Sequence, residues 1–448
     1  MEKRTFLKLS SVMMAGTAFT PLMSLAQDGK LTNWAGNYTY STSSLLRAAS
    51  VEEARSLIKR YDRLKVLGTR HCFNNIADSH DRFLSLAALN KVISLDEQGH
   101  TVTVESGIRY GELAVFLNDK GYALHNLASL PHISVAGGCI TATHGSGVHN
   151  GNLSSAVTAI ELITAAGETV NFSREKNNEL FTGAVVNLGG LGVLTKVTLA
   201  VQPTYQVSQY VYENLPIQQL EHHFEEIMSA GYSVSLFTDW RNGKVGEVWI
   251  KHRVGEGSSF EGRHEFFGAT AATKNLHPIR DLSAENCTPQ LGVPGPWHER
   301  LPHFRMGFTP SSGKELQSEY FVPREHSYAA LAAVEQLRDT VSPHLLISEI
   351  RCIAADDLWM SPCYQQPSTT LHFTWQPDWP AVSKVLPLIE AKLAPFHAKP
   401  HWGKLFTIPH QRLATLYKRM PDFQQLLREH DPGGKFRNEY LDKVIFGS

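Results

Sequence analysis

Val66-Leu67-Gly68-Thr69-Arg70-His71-Cys72-Phe73 decides the reading of this chain, but only with a second run further on: Ala128-Ser129-Leu130-Pro131-His132-Ile133-Ser134-Val135-Ala136-Gly137-Gly138, continuing through Thr141-Ala142-Thr143-His144-Gly145-Ser146-Gly147. Neither run has the G-x-G-x-x-G pattern of a dinucleotide fingerprint, and no G-x-x-x-x-G-K-[ST] phosphate loop occurs. Glycine lets backbone N–H groups converge on a phosphate, because no Cβ holds them apart. Gly137, Gly138, Gly145 and Gly147 offer such positions, and Ser129, Ser134, Thr141, Thr143 and His144 add polar side chains. Alone, the second run is a glycine-rich turn between strands. Alone, His71 is one of 21 histidines, hydrogen-bonded at a strand end. The pair carries the information.

At 448 residues the chain exceeds one compact core, so two domains are expected. Hydrophobic residues make up 42% and aromatic residues 10%, ample for packed interiors. Lys and Arg number 42 against 43 Asp and Glu, with no basic run, which argues against nucleic acid or an anionic surface as partner. Lys3-Arg4-Thr5-Phe6-Leu7-Lys8 precedes an apolar stretch ending Ser24-Leu25-Ala26, the pattern of a removable signal over residues 1–26. Ser, Thr, Gly and Pro interrupt that stretch, so no permanent membrane span is expected. The Lys-Arg pair resembles a variant twin-arginine signal, implying export to the periplasm; an ordinary secretory signal or a cytoplasmic protein is the alternative. Cys72, Cys139, Cys287, Cys352 and Cys363 form no C-x-x-C pair or zinc spacing, and most are expected to be buried small apolar residues.

Strands and helices alternate from Ser50 to about Ala200. Ser50-x-x-Glu53 is a capping-box signature ahead of a helix with Ala54, Leu57 and Ile58 on one face. Lys65-Val66-Leu67 is a short strand delivering the His71 loop. Residues 92–95 and 101–104 pair around a turn ending at Gly99. Tyr110 to Asn118 is a helix stopped by Gly121, and residues 159–164 and 193–199 are later strands. A boundary falls near Val201-Gln202-Pro203. Beyond it, Ile217 to Ala230 is an amphipathic helix and 233–237 a strand. Pro, Gly and Asn cluster between 286 and 313, which suggests a long surface excursion.

Three fragments of the second region bear charge or polar groups in strand-like settings. In Ile347-Ser348-Glu349-Ile350-Arg351, alternation places Glu349 and Arg351 on one face with Leu345, Ile347 and Ile353. Two charges in an apolar row cost several kcal/mol, by order of magnitude, unless paired or used. His372 and Thr374 share a face in Leu371-His372-Phe373-Thr374-Trp375. The third fragment is His401-Trp402-Gly403-Lys404. A structural ion pair explains Glu349 and Arg351 taken alone, and core packing explains Trp402; the active-site reading of the three fragments comes from the order and spacing they share with the family named next.

The two runs, these fragments and the tail Asp431-Pro432-Gly433-Gly434-Lys435-Phe436-Arg437-Asn438 resemble the vanillyl-alcohol-oxidase-type flavoproteins, with the closest likeness to the alditol oxidases. The resemblance spans nearly the whole chain after residue 30. It implies an α+β fold: an FAD-binding domain over 30–203, a substrate domain with a mixed or antiparallel sheet covered by helices over 204–410, and a segment returning to the first domain over 411–448. It implies FAD bonded covalently to His71 and bound by Val66, Leu67, Gly68, Thr69, Arg70, Cys72, Ser129, Ser134, Gly137, Thr141, Ala142, Thr143, His144 and Val193, with no metal. Cys139 follows Gly137-Gly138 instead of preceding them, unlike the cysteine of bicovalent relatives, so no second bond is expected. Lys404, Arg351 and Glu349 are implied as catalytic, with Ser129, His372 and Thr374 also binding substrate. The implied reaction oxidises the terminal primary alcohol of a polyol to an aldehyde, with hydride passing to flavin and dioxygen leaving as hydrogen peroxide, in a monomer. His401-Trp402-Gly403-Lys404 also resembles the H-W-x-K signature of aldonolactone oxidases and dehydrogenases, which usually carry alanine where Gly403 stands. An exported carbohydrate- or metal-binding protein without catalysis is the alternative from another class; the scattered histidines form no H-E-x-x-H pattern to support it.

Overall fold

The computed structural model describes residues 30–256, 260–307 and 314–448, so the expected signal at 1–26 lies outside the described residues. Up to Pro203 the chain builds a three-stranded parallel sheet (Leu45–Arg47, Phe83–Ser85, Lys65–Val66) and a five-stranded antiparallel sheet. The latter runs Val92–Asp96, Thr101–Glu105, Val193–Ala200, Val157–Ile163 and Thr169–Ser173. Ser50 caps the helix Val51–Arg60, its hydroxyl accepting from the Glu53 N–H, while Glu53 reaches back to the Ala49 N–H. Helix Tyr110–Asp119 buries Tyr110, Leu113, Ala114 and Leu117 and ends before Gly121, whose φ of +81° only glycine takes easily.

The second half is a ten-stranded antiparallel sheet. One face carries Ile350, Cys352, Leu371, Phe373, Tyr320 and Val322, packed against helices Gln219–Met228, Ser327–Glu335 and Trp379–Leu393. The other face turns toward the first half. Together the halves make the two-domain α+β architecture.

Two expectations need correction. Leu345 does not share the face of Glu349: it packs with Ile350 and Cys352 in the helix-covered core. The cause is a β-bulge, since the pairing of Leu345–Ile353 with Ser368–Trp375 shifts between Leu345 and Ile347. Nor is the 286–313 stretch a surface excursion as a whole. Its Pro and Gly permit turns, but Trp297, Leu301, His303 and Phe304 point inward and are buried. Trp297 joins the first domain's core, and His303 and Phe304 face the second sheet, so the stretch fills the seam between the halves.

The tail returns to the first half. Phe436 packs beside Ala54 and Ile58, and Asn438 donates to the Asn75, Ile76 and Asp78 carbonyls. All five cysteines are free, Cys72 half-buried and the rest buried. Among the described residues no helix is long and apolar enough to cross a membrane.

Candidate active site

The two decisive runs meet. Thr69 Oγ1 accepts from the Ser134 N–H at 3.3 Å, and Ser134 caps helix Val135–Ile140 by accepting from the Gly137 N–H. A Cβ on Gly68 would stand 3.2 Å from Ser134 Oγ, so the loop sits tightly on the helix cap, and one on Gly137 would stand 2.8 Å from the same oxygen, within the cap itself. Arg70, at φ 64°, turns the chain so that His71 stacks on Trp34 with ring centroids 5.1 Å apart. Both ring nitrogens of His71 are closed to water, and neither has a hydrogen-bond partner. Burial pulls its pKa down to about 3, so the imidazole is neutral.

A cavity extends from this loop to the second sheet. Val66 to Cys72, Ser129, Ser134, Gly137, Thr141, Thr143 and His144 line it, and so do Glu349, Arg351, His372, Thr374 and Lys404. Ala142 and Val193, expected at the cofactor, do not reach it: both are buried in cores, Ala142 at φ 53° and Val193 beside Ile163. Gly145 and Gly147 each stand where the packing leaves no room for a side chain. A Cβ on Gly145 would lie 2.3 Å from the Leu127 carbonyl oxygen and one on Gly147 2.5 Å from that of Tyr232. His144 turns toward the second sheet, its Nε2 3.2 Å from Glu319 Oε1.

Three neighbouring strands supply the polar wall: Leu345–Ile353, Ser368–Trp375 and Leu316–Pro323. Their register puts Glu349, His372 and Glu319 directly opposite one another, with Ile347, Thr374 and Gln317 on the adjoining cavity-facing rung. Residues opposite in a sheet hold their Cβ atoms about 5 Å apart, so polar groups on one rung must interact. Glu319, fully buried, was missed in the sequence. Its Oε1 accepts from Arg351 Nη2 and its Oε2 from Lys404 Nζ, each at 2.6 Å. The signal was there: Gln317 and Glu319 alternate with Leu316, Ser318 and Tyr320 as Glu349 and Arg351 alternate with Ser348 and Ile350.

Lys404 Nζ also donates to His372 Nδ1 at 2.7 Å, and His372 Nε2 meets Thr374 Oγ1 at 2.9 Å. Burial, opposed by Glu319, pulls the Lys404 pKa below its ordinary value. Burial also works against the charge of Arg351, but Glu349 and Glu319 outweigh it and hold that pKa above its ordinary value. Two cations side by side are thereby split into a permanent charge and a group able to lose its proton. Arg351 Nη1 reaches Ser129 Oγ at 3.4 Å.

The His71 loop and the Lys404 loop are bonded to each other. The Phe73 N–H donates to the Gly403 carbonyl at 2.8 Å, and the Asn74 amide donates to the Trp402 and Lys404 carbonyls. Trp402 itself is core, packed on Tyr417. Among the described residues one trio of ligand-type residues comes together, His144, Glu319 and His401, and Arg351 and Lys404 pair with the Glu319 oxygens.

The residues fit a flavin. A neutral histidine whose ring nitrogens are closed to water lines the same cavity as a glycine-bearing cradle and a wall of polar side chains. Comparison with known proteins agrees. Residues 43–173 match the FAD binding domain family, and residues 310–444 match the D-arabinono-1,4-lactone oxidase family. The L-gulonolactone oxidase of Scyliorhinus torazame is 26% identical over 92% of this chain and 98% of its own. In fold the chain is similar to cholesterol oxidase from B. sterolicum (TM-score 0.76, 13% identity, 96% of this chain and 99% of that one). It is also similar to xylooligosaccharide oxidase from Myceliophthora thermophila C1 (TM-score 0.71, 13% identity, 95% and 96%). The alditol oxidase of a Streptomyces species is 46% identical over 93% of this chain and 99% of its own, and by that relation the chain belongs to the alditol oxidases, FAD-dependent oxidoreductases acting on alcohol groups.

Proposed function

We propose that the protein oxidises the terminal primary alcohol of an open-chain polyol of the xylitol or sorbitol kind to the aldehyde, using FAD bonded to His71. The observation that carries this reading is that the Lys404–Glu319–Arg351 cluster and His71 line one cavity on loops bonded to each other. When bound, FAD would supply the hydride acceptor and a route for two electrons to dioxygen, the balance being R–CH2OH + O2 → R–CHO + H2O2.

The chain's own part is to place and deprotonate the alcohol. Lys404, as its amine, takes the hydroxyl proton, which its lowered pKa favours. Arg351 stays charged and stabilises the negative charge that develops on the substrate oxygen. Glu349, His372, Thr374 and Ser129 bind the remaining hydroxyls, setting the reacting carbon in position. Neutral His71 has a free ring nitrogen for the bond to the flavin. The match of 310–444 to a lactone oxidase family makes an aldonolactone the competing substrate.

The test is a screen of xylitol, sorbitol, glycerol and aldonolactones with peroxide and dye readouts, together with mass spectrometry of the digested protein. Xylitol or sorbitol should give peroxide, and the mass of FAD should sit on the peptide containing His71. Turnover of lactones alone overturns the polyol reading. An unmodified His71 peptide from yellow protein overturns the covalent bond.

A further inference from the structure

Behind Glu349 lies a second buried chain that the reaction does not require by itself. Lys251, on strand Lys244–Arg253, is 1% exposed, and His303, in the seam between the halves, is 4% exposed. Burial, opposed by Glu349, pulls the Lys251 pKa down to about 7, so below that pH its Nζ carries three hydrogens for three acceptors: the Leu301 carbonyl, the Pro302 carbonyl at 3.3 Å and His303 Nδ1 at 3.1 Å. An Nδ1 that accepts carries no proton, so the neutral imidazole keeps its proton on Nε2. That atom lies 2.7 Å from Glu349 Oε1, to which it donates. Phe237 and Trp249 stand edge-on to the ring, with centroids 5.5 and 5.2 Å away, and the His303 backbone N–H donates to the Ser129 carbonyl at 3.1 Å. The ring is therefore fixed in position, and while Lys251 is protonated that lysine, on another strand, fixes its tautomer.

We propose that Lys251 and His303 are a positioning pair that holds Glu349 as the hydroxyl acceptor for the polyol. The proposal rests on the polyol reading above and names how that site selects its ligand. Both contacts to the Glu349 carboxylate, from His303 Nε2 and from Arg351 Nε at 3.6 Å, fall on Oε1. Oε2 keeps its lone pairs for hydroxyls in the cavity that Glu349 lines. With Lys251 gone, His303 can move its proton to Nδ1 and present a lone pair to the carboxylate, and Glu349 swings away from it. The pair touches neither the reacting carbon nor the proton that leaves it, so its loss weakens binding more than turnover.

The experiment compares Lys251→Met, His303→Leu, His303→Gln, Lys251→Met/His303→Gln and Glu349→Gln as flavin-loaded enzymes, with xylitol as the probe. The readouts are KM and the flavin-reduction rate at saturation, taken at a pH below 7 where Lys251 is protonated. Loss of one hydrogen bond to a buried carboxylate corresponds to about a tenfold rise in KM, expected for Lys251→Met and His303→Leu with the saturated rate nearly unchanged. His303→Gln puts an amide N–H near the place of Nε2–H and should restore KM. On that background, which has no tautomer to choose, Lys251→Met should add nothing. An equal rise in KM from Lys251→Met in both backgrounds would mean lost packing and overturn the proposal, as would a silent Lys251→Met. If Lys251→Met yields no holoenzyme, His303→Leu against His303→Gln decides: equal KM values overturn it. Glu349→Gln separates the layers, because an unchanged xylitol KM there removes the polyol reading itself.

Discussion

Glu319 holds Lys404 with one carboxylate oxygen and Arg351 with the other, so a single buried side chain sets the geometry of both cations. Its negative charge raises the Lys404 pKa, while burial lowers it. As a general base Lys404 must be unprotonated, so the rate of flavin reduction should rise with pH through a midpoint below the ordinary lysine value of 10.5. In Glu319→Gln the raising influence is lost, and the rising limb should shift to lower pH in anaerobic stopped-flow traces. A limb that stays put would mean that Lys404 is not the titrating group. Lys404→Ala should lower the saturated reduction rate on the order of a hundredfold or more, with a smaller effect on binding. Thr374→Val, which loses a hydroxyl on the cavity wall, should act mainly on KM and on polyol preference. Glu349, Arg351, His372, Thr374 and Lys404 were legible from the sequence because charge and histidine stand out in apolar strands and in a signature. Glu319 and Gln317 carry the same alternation but no family signature beside them. His303 and Lys251 could not be found that way, since their partnership joins a loop to a strand through contacts only the fold creates.

At the level of elements, the site is a patch of antiparallel sheet facing a glycine-bearing loop and a short helix. Strand and helix positions followed well from periodicity: the helix expected at 110–118 is Tyr110–Asp119, and the strand expected at 159–164 is Val157–Ile163. The bulge that displaces Leu345 was invisible, because Leu-Leu-Ile-Ser alternates equally well in either register and the partner strand decides it. The role of the glycines also eluded the sequence. Gly145 resembles a phosphate-loop glycine, and the fold adds that a Cβ there would meet the Leu127 carbonyl. Gly145→Ala should therefore destabilise the fold by about 2 kcal/mol or more, since the obstruction is backbone and cannot rotate away. Thermal unfolding of the variant checks this; a melting temperature like that of the parent would show that the segment yields freely.

Across the whole molecule, distant parts of the chain are tied at the cofactor end. Lys65, buried, donates from Nζ to the Gly189 and Phe436 carbonyls at 3.0 Å each, joining the first strand of the loop to a later turn and to the tail. Lys65→Met would leave both carbonyls without that donor, at a cost of about 1–3 kcal/mol each where they stay dry, so denaturant midpoints should fall clearly. An unchanged midpoint would mean that water replaces the amine. The cavity between the halves has two walls of different kinds. On one side, three hydrogen-bonded strands lock Glu349, His372 and Glu319 into one rung, so moving any of them disturbs its neighbours. On the other, Pro278 and Ile279 come from the loop before the seam-filling stretch and Phe304 from that stretch, all outside that grid. The enzyme thus resembles a vice with one jaw machined into the frame and one bolted on. New substrate lengths should come from exchanging the bolted jaw: trimming Phe304 to Ala should raise kcat/KM for bulkier polyols relative to xylitol, while the fixed jaw keeps the same chemistry.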